Sequence, residues 1–447
     1  MRTRRNSSGP LVDAMASQVD GASLGVLRIA VGAVGVLSAG RIWAYGWVDS
    51  LYAGPSHRFT YLGFGWVPQP SVPAMEGLVA LLALASLALA LGWRTRLASA
   101  AFVVAIAWIE LIDVTTYLNH YWFLTLVGAL GLVVPWGSAL SLDARRRGGP
   151  TAVARGWVWL LRFQVGVVYA FAGLAKLQHE WLVDALPLRL WLPARTGVPV
   201  LGVVAGWSIT AHGFAIAGAA FDCLVVPALL WRRTRLPAWG VLVAFHVCTW
   251  ALFPIGVFPW LMIGASTVFF APDWPRRWRH RLAPSRPRAM VRATTGKRRP
   301  APLVAPLVVL WVAIQLALPL RHLLYPGDAR WTGQGYRFAW NVLLTERSGS
   351  VTFLVHDPAT GRDWVADPGR LYTRNQLRVM ASEPDLIHQA ALAIARDAGG
   401  DVEVRVDAWL SLDGRPPVRY LDPTVDLAHT RRDPWSDPWI LPAPQGL

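Results

Sequence analysis

Polar side chains with chemical potential sit where the chain is otherwise apolar. Arg28, Arg41, Glu110, Asp113, Asn119, His120, Arg162, Gln164, Lys176, His212, Asp222 and His246 all lie inside or at the ends of long hydrophobic runs. In hydrocarbon an ionisable group is expensive unless it is paired or hydrated, so each of these positions is a candidate for function. Tyr169, Gly173 and Lys176 are spaced i, i+4, i+7, which on a helix puts a ring, a gap and an amine on one face; the gap would admit a flat ligand. Every one of these residues also has a plain structural reading. Lys176 at a helix end can snorkel to the interface, and His120 and His246 can hydrogen-bond neighbouring helices. Arg28 and Arg162 are expected to pair with Glu110, Asp113 or Asp222, because buried charges need partners. The histidines show no HExxH or other tight ligand spacing, so no metal site is expected. No Walker loop, dinucleotide fingerprint or GxSxG elbow is present.

The elements that must position these groups are membrane spans. Of the 447 residues 54% are hydrophobic and 16% charged, with 25 Trp, and the mean hydropathy is +0.36. A soluble domain carries about 25% charged residues. Nine segments approach the roughly 20 apolar residues that a crossing needs: Ser23 to Trp43, Ala74 to Trp93, Leu97 to Asp113, Leu118 to Trp136, Trp157 to Leu177, Ser208 to Trp231, Leu236 to Ala251, Ile255 to Phe270 and Pro302 to Leu323. Three are short, leaving the count at eight or nine. The N-terminus lacks the apolar core and cleavage site of a signal peptide, so the first span is expected to be retained. Cys223 and Cys248 lie in apolar stretches and form no CxxC pair, so they read as small buried hydrophobes.

The net charge of +16 falls on alternate loops: Arg2 to Arg5, Arg94 and Arg96, Arg145 to Arg155, Arg232 to Arg235, and the run Arg276 to Arg299. This asymmetry predicts a cytoplasmic N-terminus and, after an odd number of spans, an exoplasmic C-terminal region. The basic run is read as a loop attracted to anionic membrane lipid rather than as a nucleic-acid arm. The same topology gives depths: Asn119, His120, Lys176 and His246 all fall in the outer half and are expected to converge on one cavity there.

From Tyr325 onward the composition becomes that of a small α+β domain. Ser350 to His356 and Arg362 to Ala366 flank a DPATG turn and read as a hairpin. Ser382 to Asp397 carries Leu386, Ile387, Ala390, Ala391 and Ile394 on one helical face, and Asp401 to Leu412 alternates as a strand with one buried side. The expected organisation is a cytoplasmic tail over 1–22, an all-α membrane bundle over 23–323 and an exoplasmic α+β domain over 324–447.

The stretches SLGVLRIAVG (Ser23 to Gly32), YLNHYWFL (Tyr117 to Leu124), VYAFAGLAKLQHEWL (Val168 to Leu182), AHGFAIAGAAFDCLVVP (Ala211 to Pro227), FHVCTWALFPIGVFPWLMI (Phe245 to Ile263), FFAPDWPRR (Phe269 to Arg277) and YLDPTVDLA (Tyr420 to Ala428) together resemble the vitamin K-dependent γ-glutamyl carboxylase family. The chain looks like a bacterial member, of the horizontally transferred transmembrane (HTTM) group. The resemblance implies a plasma-membrane enzyme that uses reduced vitamin K or menaquinol, O2 and CO2, with no metal. Such an enzyme converts Glu in a peptide or protein to γ-carboxyglutamate and releases the epoxide.

By the same resemblance Lys176 is the base that activates the quinol, its amine neutral in a dry pocket. The resemblance places Asn119, His120 and His246 at the quinone or in proton transfer; the spacing on the fifth span adds Tyr169 and Gly173 to them, and His212, Asp222 and Trp340 are expected as support. Tyr336 to Leu344 matches the family loop that helps close the quinone pocket, but Asn341, Val342 and Leu343 stand where animal members carry an acidic residue and two methionines. Animal members also continue with an extended lumenal region for precursor recognition, whereas this chain stops soon after Ala428. Two alternatives stay open: a quinol epoxidase or oxygenase that does not carboxylate, and a non-enzymatic membrane partner or immunity-type protein.

Overall fold

A computed structural model describes residues 10–283, 304–433 and 437–444. The arginines at positions 2 to 5 and most of the basic run after Arg281 lie outside the described residues. Among the described residues ten helices of nine residues or more form the membrane part and its edges: α1 Ala22–Ala44, α2 Val72–Leu91, α3 Thr95–Ile112, α4 Asn119–Leu130, α5 Arg155–Ala175, α6 Ser208–Leu230, α7 Arg235–Leu252, α8 Phe258–Ser266, α9 Trp274–Leu282 and α10 Val304–Leu320. Among the described residues seven are long and apolar enough to cross a membrane. The fourth and eighth expected spans are shorter helices. α4 ends at Leu130, where a turn leads into Pro135, which lacks the N–H that a continuing helix needs. α8 passes after Ser266 into a single 3-10 turn.

Helices α1 and α2 approach closely at Gly32, where a Cβ would stand 2.5 Å from the backbone nitrogen of Ala90. The buried Arg28 next to this contact forms no salt bridge with Glu110, Asp113 or Asp222 among the described residues, contrary to expectation. Its guanidinium donates to the carbonyl oxygens of Leu89, Ala90, Trp136 and Leu140. Arg162 does the same with Val268 (3.0 Å), Phe269 (3.2 Å) and Phe270 (3.0 Å). For Leu89 and Ala90 at the end of α2, and for Val268 to Phe270 past α8, the reason is the same: the last carbonyls of a helix have no intrahelical donor and carry the negative end of its dipole, so a cation placed there satisfies several at once, while Trp136 and Leu140 offer loop carbonyls. Glu110 is held instead by the Thr125 hydroxyl at 2.8 Å. A two-stranded ribbon, β1 Gln18–Asp20 against β2 Ala152–Ala154, ties the start of the chain to the entry of α5.

The C-terminal domain is an antiparallel sheet of order β4–β3–β5–β6, with β3 Arg347–Asp357, β4 Arg362–Ala366, β5 Glu403–Leu412 and β6 Val418–Arg419. Its hairpin pairs Asp357 with Arg362 across the DPATG turn. Helices α11 Arg374–Met380 and α12 Pro384–Ala398 accompany the sheet. Val404, Val406, Ala408 and Leu410 of β5 bury with Phe353 and Val355 of β3 against Leu386, Ile387, Ala390, Ala391 and Ile394 of α12. Period 2 on the strand and period 3.6 on the helix thus meet in one core.

This domain caps one end of the bundle. Phe59 and Val114, from bundle loops, belong to its core, and Phe59 stacks on Tyr372 at 4.4 Å. Gln376 donates to Asp113 Oδ2 and to the His57 carbonyl, both at 2.7 Å. Arg330 meets Glu180 at 2.8 Å just beyond α5. There burial works against ionisation of Glu180, but the hydrogen bonds and charge of Arg330 outweigh it and hold the carboxyl below its ordinary range. The cap therefore covers the bundle end that bears Lys176.

Candidate functional site

Lys176 is the first residue past α5, at the capped end. Its side chain is 7% exposed, and its Nζ lies 2.8 Å from Oδ2 of an equally buried Asp222 on α6. The amine also donates to the Ala172 carbonyl (3.2 Å) and lies 5.2 Å from the centre of the Trp181 ring, within cation–π range. The amine is thus sheltered, as expected, but not alone: its nearest neighbour is a carboxylate. Two turns back on α5, the Tyr169 hydroxyl lies 2.8 Å from Nε2 of His246 on α7. Nδ1 of that ring is buried without a hydrogen-bond partner. With the phenol donating to Nε2, Nδ1 carries the proton and is left as a free donor.

Lys176, Asp222, Tyr169 and His246 line one cavity of about 70 Å³, whose remaining wall is mostly apolar and includes Trp181, Phe214, Phe253 and Phe258. At ~12 Å³ for each water position that is room for roughly five or six waters, on the scale of a two-ring aromatic head. Loop residues Val342 and Leu343 close the cavity from the cap side. Phe338, Trp340 and Leu343 of this loop have φ of 60°, 62° and 52°, a left-handed backbone that costs side-chain-bearing residues about 1–3 kcal/mol each. Hydrogen bonds hold it there: Phe338 N–H donates to Tyr117 Oη (3.0 Å), Tyr117 donates to Asn119 Oδ1 (2.8 Å), and Asn119 Nδ2 donates to the Asn341 carbonyl (3.1 Å).

The expected residues therefore separate into those on the cavity and those behind it. Asn119 anchors the closing loop and does not line the cavity. His120 is buried with Nε2 unpartnered, but Phe258 stands between it and His246, its ring centre 6.2 Å from each imidazole. His212 sits near the carbonyls of Val183 (2.9 Å) and Ser208 (3.0 Å) and ties the segment after Lys176 to α6. Trp340 is buried edge-on against Phe123 at 6.2 Å. Gly173 leaves no opening for a flat ligand: a Cβ there would stand 2.8 Å from Cys223 Sγ and 2.9 Å from its backbone nitrogen. The gap is filled by α6, and this close approach is what brings Asp222 onto Lys176. Asp222, expected only as support, is the direct partner of the amine. Its signal was present as the one acidic residue inside the sixth span. Trp181 and Phe258 were not singled out, and nothing but the three-dimensional packing distinguishes them from other aromatics.

A helical membrane bundle with a lysine–carboxylate pair in an apolar cavity, roofed by a loop that leads into an α+β cap, defines an integral membrane protein of the HTTM class, and residues 17–274 match the model of the HTTM domain. Residues 300–446 match the lumenal domain of vitamin K-dependent gamma-carboxylase. The chain belongs to the vitamin K-dependent γ-carboxylase family, and its two domains support a carboxylase-like function. No solved structure matches the chain.

Proposed function

We propose that this protein is a naphthohydroquinone-dependent carboxylase that couples formation of the quinone epoxide to γ-carboxylation of Glu in a peptide or protein. One observation carries the reading: an amine–carboxylate pair and a phenol–imidazole pair face the same small apolar cavity. That donor set, with the free Nδ1 of His246, fits a flat ligand bearing two ring oxygens, and the aromatic walls fit its body.

A glutamate γ-carbon is too weak an acid for any side chain to deprotonate at a useful rate, and a reduced naphthoquinone reacting with O2 supplies the stronger base. Lys176 Nζ takes the hydroxyl proton of the bound quinol. Asp222 makes the amine available and steadies the added charge: the proton the pair shares moves from Nζ to Asp222 Oδ2, leaving a neutral amine beside a neutral acid, and on taking the quinol proton the pair becomes singly positive opposite the anion it has formed. The Tyr169 hydroxyl, donating to His246 Nε2, holds the imidazole so that its Nδ1–H donates to a ring oxygen as charge develops there. Trp181, Phe214 and Phe253, with the Val342–Leu343 roof, keep water from quenching the base. Carbanion capture by CO2 then needs no metal.

Lipid-soluble quinol reaches such a cavity from within the bilayer. The alternating arginine-rich loops and the match to a lumenal domain support a bacterial plasma-membrane location, with a cytoplasmic N-terminus, an exoplasmic cap and domain limits near 22 and 323. The test is a pair of assays on one preparation. Purified full-length protein given reduced vitamin K and O2 forms epoxide, and it incorporates labelled CO2 into a Glu-containing peptide; Lys176→Ala loses both. Epoxide without label reads as a quinol oxygenase alone. No epoxide with any naphthoquinol removes the enzymatic reading in favour of a membrane partner.

A further inference from the structure

Six arginines, Arg155, Arg162, Arg232, Arg235, Arg277 and Arg281, wall a second cavity of about 690 Å³. It opens at the start of α5, a helix of 21 residues and so about 31 Å long, whose other end bears Lys176. Among the described residues that line it there is no Asp or Glu. Arg162 is pinned by the three carbonyls already described, and Arg235 donates to those of Leu229 (2.7 Å) and Leu230 (2.9 Å), so two guanidiniums are fixed with their remaining edges available. Arg277 pairs with Asp273. Arg155, Arg232 and Arg281 have no carboxylate partner among the described residues.

Cations crowded this way repel one another, and the wall supplies no counter-charge. The other lining residues say what kind of anion belongs there. Trp159 is 38% exposed and Trp278 57%, Leu236 stands beside them, and Trp274 buries an indole N–H that has no acceptor. Indoles of this kind mark the level where headgroups meet hydrocarbon. An arginine cluster with an indole donor suits phosphate oxygens, and an apolar indole rim suits the acyl chains that leave a phospholipid head; a free phosphate would leave that rim without a counterpart.

We propose that this crevice binds the phosphate head of an anionic phospholipid from the leaflet at the end of the bundle opposite Lys176. The site is independent of the quinol chemistry. Its test is native mass spectrometry of the full chain released from bilayers holding equal amounts of phosphatidylglycerol and phosphatidylcholine. The wild type retains phosphatidylglycerol preferentially. The combined variant Arg155→Gln, Arg232→Gln and Arg281→Gln lowers that preference about 100-fold at low salt, since each arginine beside an anionic head adds about fivefold. Arg145→Gln with Arg146→Gln, exposed arginines that do not line the crevice, leaves it unchanged. Equal retention of the two lipids by the wild type, an equal loss in both variants, or displacement by inorganic pyrophosphate at matched phosphate concentration would overturn the assignment. The wild-type arms decide the question even if the triple variant fails to fold.

Discussion

Replacing Lys176 by Met and Asp222 by Leu, singly and together, separates the pair's role in stability from its role in chemistry. At 2.8 Å the attraction between the two charges is about 6 kcal/mol at an effective dielectric constant of about 20. Most of that offsets the loss of hydration at two side chains that are each only 7% exposed. Removing one partner leaves the other buried without compensation, so each single variant loses about 3–5 kcal/mol of stability, while the double variant returns close to wild type. Denaturant unfolding in a fixed detergent reads these values, and the cycle gives a coupling energy of about 6–10 kcal/mol. Epoxide formation follows a different pattern. Lys176→Met lowers turnover about 100- to 10,000-fold, and the double variant recovers stability without recovering activity. Stability costs that simply add, or full epoxide formation by Lys176→Met, would refute the reasoning.

Three further outcomes are expected. Gly173→Ala drives a methyl into Cys223 at 2.8 Å, costs about 1–3 kcal/mol of stability and, by separating α5 from α6, lowers kcat for epoxide formation along with it. Tyr169→Phe strips His246 Nε2 of its partner, a buried loss of about 1–3 kcal/mol, and raises KM for quinol more than it lowers kcat if the phenol orients the ligand. In the cap, burial pushes the Asp413 carboxyl up to about 6, against the hydrogen bond from the Glu346 N–H. A folded value raised above the unfolded one contributes stability at low pH that is lost as the pH rises through about 6. Asp413→Asn should therefore raise the melting temperature relative to wild type at pH 8 but leave little difference at pH 4, as thermal unfolding across that range would show.

The parts of this molecule that were legible in the sequence are those encoded by local repetition. Val402 to Leu412 alternates because one side of the strand packs on α12, and the apolar runs are long because a bilayer is thick. Lys176 was legible as a lone amine inside such a run. Pairings between distant helices were not. Asp222 lies 46 residues from Lys176, and only the close contact at Gly173 makes it the partner. Arg28 and Arg162 were assigned to acids because charge pairing is the obvious way to bury a cation, yet helix-end and loop carbonyls, which every sequence has and none advertises, met the need. His120 and His246 share a depth, but depth alone does not say that the Phe258 ring stands between them. Among the described residues seven helices are long enough to cross where eight or nine spans were expected, because hydropathy measures how apolar a segment is, while a turn such as the one before Pro135 determines how far its helix runs.

The stretch from Tyr336 to Leu344 is both the roof over Lys176 and the first strap of the cap, and its backbone is wound tight at Phe338, Trp340 and Leu343. Two structural duties on nine residues make it a lever: a load on the C-terminal domain travels along one short tether to the wall beside the amine. A large visitor settling on that domain would thus be felt at the Lys176 amine without ever touching it.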